Sequence, residues 1–216
     1  MVSWPDLRKL LCMRYILRRR AALAGLAFVL ATPVVRGRAG PQRAGEVKTT
    51  HGDCFARSGT AQRALVPNAD VFVGDAVGTG TASSLALLLG EATTVRLGPE
   101  AQLRIDRFLM NAGGVLTLDK GAVLYDHDAK DGPDNMAVRS PFGLIAVRGT
   151  RFFAGPSNGV FGVFVERGEV MVLGVSTAVT VTAGMGTNIA TPGAEPTQPT
   201  VWGQKRIAAA MAQFGQ

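Results

Sequence analysis

Four short groupings in the 216-residue sequence hold side chains that could do chemistry. His51-Gly52-Asp53-Cys54 sets an imidazole, a carboxylate and a thiol within four residues, the types used by a cysteine nucleophile or a metal site. Catalytic partners usually come from distant parts of a chain. A Cys with one local His therefore reads better as a strand residue after a turn, its thiol packing as a small hydrophobe. The stretch Asp126-His127-Asp128-Ala129-Lys130-Asp131-Gly132-Pro133-Asp134 crowds carboxylates that could hold Ca²⁺ through oxygen. An EF-hand loop wants oxygen donors at its first, third and fifth places and Gly at the sixth. Here Lys130 takes the fifth place and Asp131 the sixth, so a solvated hairpin loop is the better reading. Gly78-Thr79-Gly80 is a fragment of a phosphate loop without the helix that such a loop must open, which leaves a turn between strands. The last grouping is Arg148, Gly149, Thr150 and Arg151, the candidate binding residues of the chain. The two guanidinium groups suit a contact with an anionic partner. The structural alternative pairs them with carboxylates such as Asp126 or Glu166 and uses Gly149 for a tight turn. Nothing here converges on a reaction, so no catalytic residue, no metal ligand set and no cofactor is expected.

These groupings sit in a sequence of short apolar runs closed by Gly or Pro. Residues 136–173 show this best, with turn signals at Ser140-Pro141, Arg148-Gly149, 155–159 and Arg167-Gly168. The runs between them are strand-length and rich in Val, Ile, Phe and Leu. Upstream, Val95 and Leu97 alternate with Thr94 and Arg96, and Leu103 and Ile105 with Gln102, Arg104 and Asp106, the period of a half-buried strand. Residues 83–89 are apolar over most of their length, which predicts a central strand. Val47 and Cys54-Phe55 around the turn at 51–53 predict a first strand pair. Residues 115–118 and 122–125 are further strands on either side of Lys120-Gly121, and Val179 and Val181 alternate with Thr180 and Thr182. Short strands every ten residues or so predict an all-β fold, a jelly-roll or sandwich or a short β-solenoid of many short strands. Residues 191–201, with Pro192, Pro196 and Pro199, read as a Pro/Thr linker. Ile207, Met211 and Phe214 then fall at i, i+4 and i+7, which predicts a C-terminal amphipathic helix over 202–216. Two roles fit that helix: capping an open end or edge of the β domain, or docking a partner.

Ser140-Pro141-Phe142-Gly143, Ala146-Val147-Arg148-Gly149-Thr150-Arg151-Phe152 and Val165-Glu166-Arg167-Gly168-Glu169-Val170 together resemble the core motifs of the FecR domain family. The resemblance extends to 73–80, 97–99 and 183–187, and covers roughly residues 45 to 190. It implies an extracytoplasmic module. Proteins with this domain typically couple an outer-membrane receptor to a cytoplasmic sigma factor. Full-length regulators of that kind carry a cytoplasmic sigma-binding domain and a membrane helix before the FecR domain. Here about twenty residues precede the apolar run, so the resemblance is to a FecR-like domain without the N-terminal anti-sigma domain.

Charge is segregated. Residues 1–39 hold eight Arg/Lys and one acidic residue, whereas residues 40–216 hold fifteen of each, so the whole formal charge of +7 belongs to the N-terminus. A neutral β domain has no basic excess for phosphates, which argues against a nucleic-acid partner. Arg18-Arg19-Arg20, the apolar run 21–35 and Gly37-Arg38-Ala39 have the order of a signal peptide, with cleavage after Ala39. The run is shorter than the ~20 residues that span a bilayer, so 1–39 read as a signal peptide or else as a marginal membrane anchor. The segment fits Sec export better than twin-arginine export, and either Met1 or Met13 could be the start. Removal of 1–39 takes Cys12 with it and leaves Cys54 without a disulfide partner.

The expected function is a non-enzymatic, extracytoplasmic FecR-type binding module. Its expected partner is a protein of the cell envelope, and it would touch a membrane only through uncleaved 1–39. The expected location is the periplasm, with inner-membrane anchoring as the alternative. A carbohydrate- or cell-wall-binding β module is the second reading, although residues 40–216 supply one Trp and one Tyr.

Overall fold

The computed structural model describes residues 40–109, 113–127 and 135–215. The predicted targeting segment at 1–39 and residues 128–134 of the acidic loop lie outside them. Among the described residues the chain begins with β1 (Arg43–His51), β2 (Cys54–Ser58), β3 (Ala61–Ala64) and β4 (Asp70–Phe72). It goes on through β5 (Ala76–Thr79), β6 (Ser84–Leu89), β7 (Thr93–Leu97), β8 (Gln102–Leu109) and β9 (Gly113–Lys120). Then come β10 (Val123–His127), β11 (Met136–Ser140), β12 (Gly143–Ser157), β13 (Val160–Leu173), β14 (Ala178–Thr182), β15 (Met185–Ile189) and β16 (Thr200–Val201). A helix α1 (Gln204–Met211) and a 3-10 turn at Ala212–Phe214 close the chain.

The strands join one curled sheet in the order β3-β2-β5-β8-β9-β11-β12-β10-β7-β6-β1-β4, with β13 laid along β12 and with β14, β15 and β16 joined through β13. All pairings are antiparallel except β9 with β11. The sheet has two arms that share β12. Residues 143–147 of β12 pair with β11, and residues 151–154 pair with β10. Val47, Val77, Leu87, Val95, Leu103, Leu116, Tyr125, Val138, Phe152 and Val170 come from both arms into one buried cluster. The fold is therefore all-β and sandwich-like, with a C-terminal helix.

The alternation read from the sequence is the alternation of burial. In β7 Val95 and Leu97 are buried while Thr94 and Arg96 are only half-buried, and β14 puts Val179 and Val181 inward and Ala178, Thr180 and Thr182 outward. β6, apolar without alternation, buries Leu85, Leu87 and Leu89 and leaves Ala86 and Leu88 half-buried, whereas in β10, β12 and β13 both faces are covered. Val123, Tyr125, Phe152, Val163 and Val165 enter the main core, whereas Leu124, Phe153 and Phe164 enter a second cluster with Trp202, Ala210 and Phe214. The helix thus covers the outer face of β10, β12 and β13 rather than a sheet end. The segment expected as a linker, 191–201, ends in β16, which pairs with β15.

Two turns do other work than the sequence suggests. The predicted strand pair around His51-Gly52-Asp53 does not form: β1 pairs with β4 and β6, and β2 with β3 and β5. Gly52 has a φ of 66°, and the Asp53 N–H donates to Ser83 Oγ at 2.9 Å, which ties this turn to the one before β6. Gly121, with a φ of 81°, likewise carries the chain from β9 in one arm to β10 in the other. Both are corners between arms rather than hairpin loops.

Candidate functional site

The four residues Arg148-Gly149-Thr150-Arg151 sit where β12 passes from one arm to the other. Arg148 faces Glu169 and Arg151 faces Arg167, so Gly149 and Thr150 together oppose the single residue Gly168. One step further Phe152 faces Val165, and the surplus residue, Glu166, is on β13. The two bulges compensate, which restores the register while both strands bend. Gly149 at φ 61° and Gly168 at φ 80° supply the backbone that this bend requires.

Arg151 and Arg167 are paired with carboxylates within the corner. The Arg151 guanidinium donates from Nε to Glu166 Oε2 at 2.7 Å and from Nη1 to Asp126 Oδ2 at 2.8 Å. Arg167 Nη2 donates to the other Asp126 oxygen at 2.9 Å and to the His127 carbonyl at 3.3 Å. Burial alone would pull the Arg151 pKa down, but the bonds to Glu166 and Asp126 outweigh it and hold the group above its ordinary value. Thr150 is fully buried, and its Oγ1 has no hydrogen-bond partner among the described residues. Arg148 is exposed and, among the described residues, makes no ion pair. The corner can present a charged ridge to a partner.

The Ser140-Pro141-Phe142-Gly143 turn, which joins β11 to β12, closes on itself. The Phe142 N–H donates to Ser140 Oγ at 3.2 Å, and that hydroxyl donates to the Gly143 carbonyl at 3.2 Å. Gly143 has a φ of 143°, and a Cβ there would lie 2.4 Å from the Leu173 carbonyl oxygen, so no other residue fits. The turn presents Phe142, which stacks on Phe161 with ring centroids 4.4 Å apart. Together with Pro141, Pro156 and Val160 they wall an apolar cleft of about 390 Å³, with Asp119 and Lys120 also in its lining.

The other groupings do not assemble. Cys54 is buried, its Sγ 3.3 Å from the Ser84 carbonyl, and burial pushes the thiol up from its ordinary pKa. His51 and Asp53 are exposed. His127 is buried beside Thr93, Nδ1 to Oγ1 at 3.0 Å. Thr79 ends β5, donates to the Gly98 carbonyl at 2.6 Å and accepts from the Ala101 N–H at 2.9 Å, so Gly78-Thr79-Gly80 is a packed strand end. Among the described residues no group of three or more His, Cys, Asp or Glu could hold a metal ion.

Three clusters escaped the sequence reading. Asp75 is buried and accepts from Arg63 at 2.6 Å and from the Phe72 N–H at 2.9 Å. Glu195 accepts four bonds from Ser176 and Thr177. Arg206 lies 3.5 Å over the Trp202 ring and donates to Ser157 Oγ and Asn188 Oδ1. Arg63 and Asp75 are 12 residues apart in sequence, Ser176 and Glu195 19, and Ser157 and Arg206 49. No local pattern shows such pairs.

The FecR protein family model matches residues 75–171, a stretch that holds the corner and the S-P-F-G turn. Two crystal structures of a "putative anti-sigma factor" from Parabacteroides distasonis ATCC 8503 share the fold. They superpose with TM-scores of 0.52 and 0.51 at 14% identity, over 62% of this chain and 63% and 62% of theirs. The chain therefore matches less than two thirds of the length of those structures. No protein of curated function matches it in sequence.

Proposed function

The chain carries a FecR-family domain, and from that premise we propose a non-enzymatic, extracytoplasmic module that binds a protein partner in envelope signalling. The observation that carries this reading is how the motif residues are used. Gly149, Thr150, Arg151, Gly168 and the S-P-F-G turn build the corner and the cleft wall, and Arg148 is left facing solvent. That arrangement supports recognition, since it presents a charged ridge and a small apolar cleft without a nucleophile and base in contact. In this reading Arg148 makes the partner contact, and Gly149, Thr150 and Arg151 position it. The description of the Parabacteroides protein adds support for a regulatory role. The second reading, a glycan-binding module, gains no support, because Tyr125 and Trp202 are interior and give no exposed stacking platform.

For location, the reading keeps residues 1–39 as a signal peptide, or as an inner-membrane anchor with the domain in the periplasm. Among the described residues no helix is long and apolar enough to cross a membrane. A photo-crosslinking amino acid at position 148 of the full chain, expressed in cells with an outer membrane, tests both parts. The expected result is a discrete adduct with one envelope protein, in a fraction that is not cytoplasmic. Recovery from the cytoplasm, or retention on a glycan column without any protein adduct, would overturn the reading.

A further inference from the structure

We infer that β14 is a self-pairing edge, through which two copies of this chain join their sheets in an antiparallel, two-fold symmetric strand pair centred on Thr180. The inference goes beyond the proposed function and does not depend on it.

Sheet edges are templates for another strand, and proteins usually blunt them with short length, charge or Pro. Among the described residues four strands have one strand neighbour or end the sheet: β3, β4, β14 and β16. β3 carries Arg63, held by Asp75, and pairs beside Arg57. β4 has three residues and carries Asp70, paired with Arg43. β16 has two residues. β14 has five, Ala178-Val179-Thr180-Val181-Thr182, with no charge, Pro or bulge.

The hydrogen-bonding phase of β14 leaves the right groups outside. Gly174 and Thr177 are opposite each other in the β13–β14 hairpin, and the Gly174 N–H donates to the Thr177 carbonyl at 2.8 Å. Bonded and non-bonded pairs alternate in an antiparallel ladder. Val179 and Val181 therefore exchange bonds with Val172 and Val170, and the N–H and C=O groups of Ala178 and Thr180 point to the open edge. Those groups await a partner, and the strand is complementary to itself. Turned about a two-fold axis at Thr180, Thr180 faces Thr180, Val179 faces Val181 and Ala178 faces Thr182. The valines meet below and the threonines above, and no like charges oppose each other. Met171, opposite Thr180 on β13 and 47% exposed, carries the same face outward. The absence of charge favours a second copy over an acidic or basic partner strand.

Analytical ultracentrifugation of the full chain in mild detergent tests this. The expected profile moves from one copy towards two as concentration rises. Thr180→Pro removes an N–H that no intramolecular bond uses, so the variant is expected to stay folded and to lose the dimer. Thr180→Lys and Thr180→Glu each place like charges across the axis and are expected to weaken dimerisation about fivefold or more. An equimolar mixture of the two charged variants is expected to regain it. A chain that stays single at all concentrations, or a dimer that all three variants leave unchanged, overturns the inference. So does a mixture that fails to recover while each variant gives the wild-type circular dichroism spectrum, and so does capture of an unrelated strand in place of the second copy.

Discussion

Thr150 and Gly168 interlock at the corner. A Cβ on Gly168 would lie 2.6 Å from Thr150 Cγ2 and 2.8 Å from the Gly149 carbonyl, at a φ of 80°. Gly168→Ala is expected to cost about 2 kcal/mol or more in urea unfolding, through backbone strain and overpacking together. Thr150→Val should behave oppositely. A buried hydroxyl that makes no bond costs about 1–3 kcal/mol, and Val keeps the shape without the polar atom. The variant is expected to match the wild type or to gain up to about 1 kcal/mol. A loss larger than that would mean the hydroxyl is bonded after all. Cys54 gives a second check at this scale. Burial disfavours its thiolate. In a Cys12→Ser background the thiol should resist a disulfide reagent at pH 8 until denaturant is added. Rapid labelling of the native protein would restore the reactive-cysteine reading.

At the scale of elements, the strands were legible and their partners were not. Val179 and Val181, or Leu103 and Ile105, announce a strand by their period of two. The runs around Phe152-Phe153 and Val163-Phe164-Val165 announce burial on two faces, once the helix is known to cover one of them. A Gly turn reports that the chain bends, but not whether the next strand pairs beside the last or joins the other arm, which is why 51–53 misled. The candidate site was half legible. The bend at Gly149 and the carboxylates near Arg151 could be read from residue types, but the compensating bulges needed the register. Glu195 shows what long-range polar contacts do for an element. It binds both Ser176 and Thr177 in the β13–β14 turn, and the Thr177 hydroxyl bond, followed by those from Ser176, holds its pKa down to about 2. Because the folded value lies below the ordinary carboxyl value of 4.5, this turn is tightened fully above about pH 5. The contribution is lost as pH falls through about 2. In an NMR titration the Ser176 and Thr177 amide signals should therefore move with a midpoint near 2. In Glu195→Gln they should not titrate there. A midpoint at the usual carboxylate value would show that the bonds do not form in solution.

On the scale of the whole molecule, the two clusters share their strands, and that predicts how the β domain comes apart. Phe152 enters the main core while its neighbour Phe153 enters the outer cluster, and Val163, Phe164 and Val165 divide in the same way. The outer cluster thus cannot open while these strands stay packed unless the helix alone lifts away. The helix is a weak element by itself. It has eight residues, no side-chain cap at Gly203, and no acidic residue in its first turn. What holds it is tertiary: Trp202 stacked on Phe164 at 5.2 Å, Phe214 against Phe153, and Arg206 bound to Ser157, Asn188 and the Trp202 ring. Each large apolar side chain buried there contributes about 1.5–3 kcal/mol, enough together to hold so short a segment. With Trp4 replaced, Trp202 fluorescence and far-UV circular dichroism should report the same urea midpoint in the otherwise unaltered chain, one cooperative transition for both clusters. Arg206→Ala removes the polar clamp and the cation–π contact, worth about 1–3 kcal/mol together. In that variant the fluorescence midpoint should fall below that of the circular dichroism, because the helix now leaves first. If the two midpoints stay together while both fall, Arg206 stabilises the whole sheet rather than the helix.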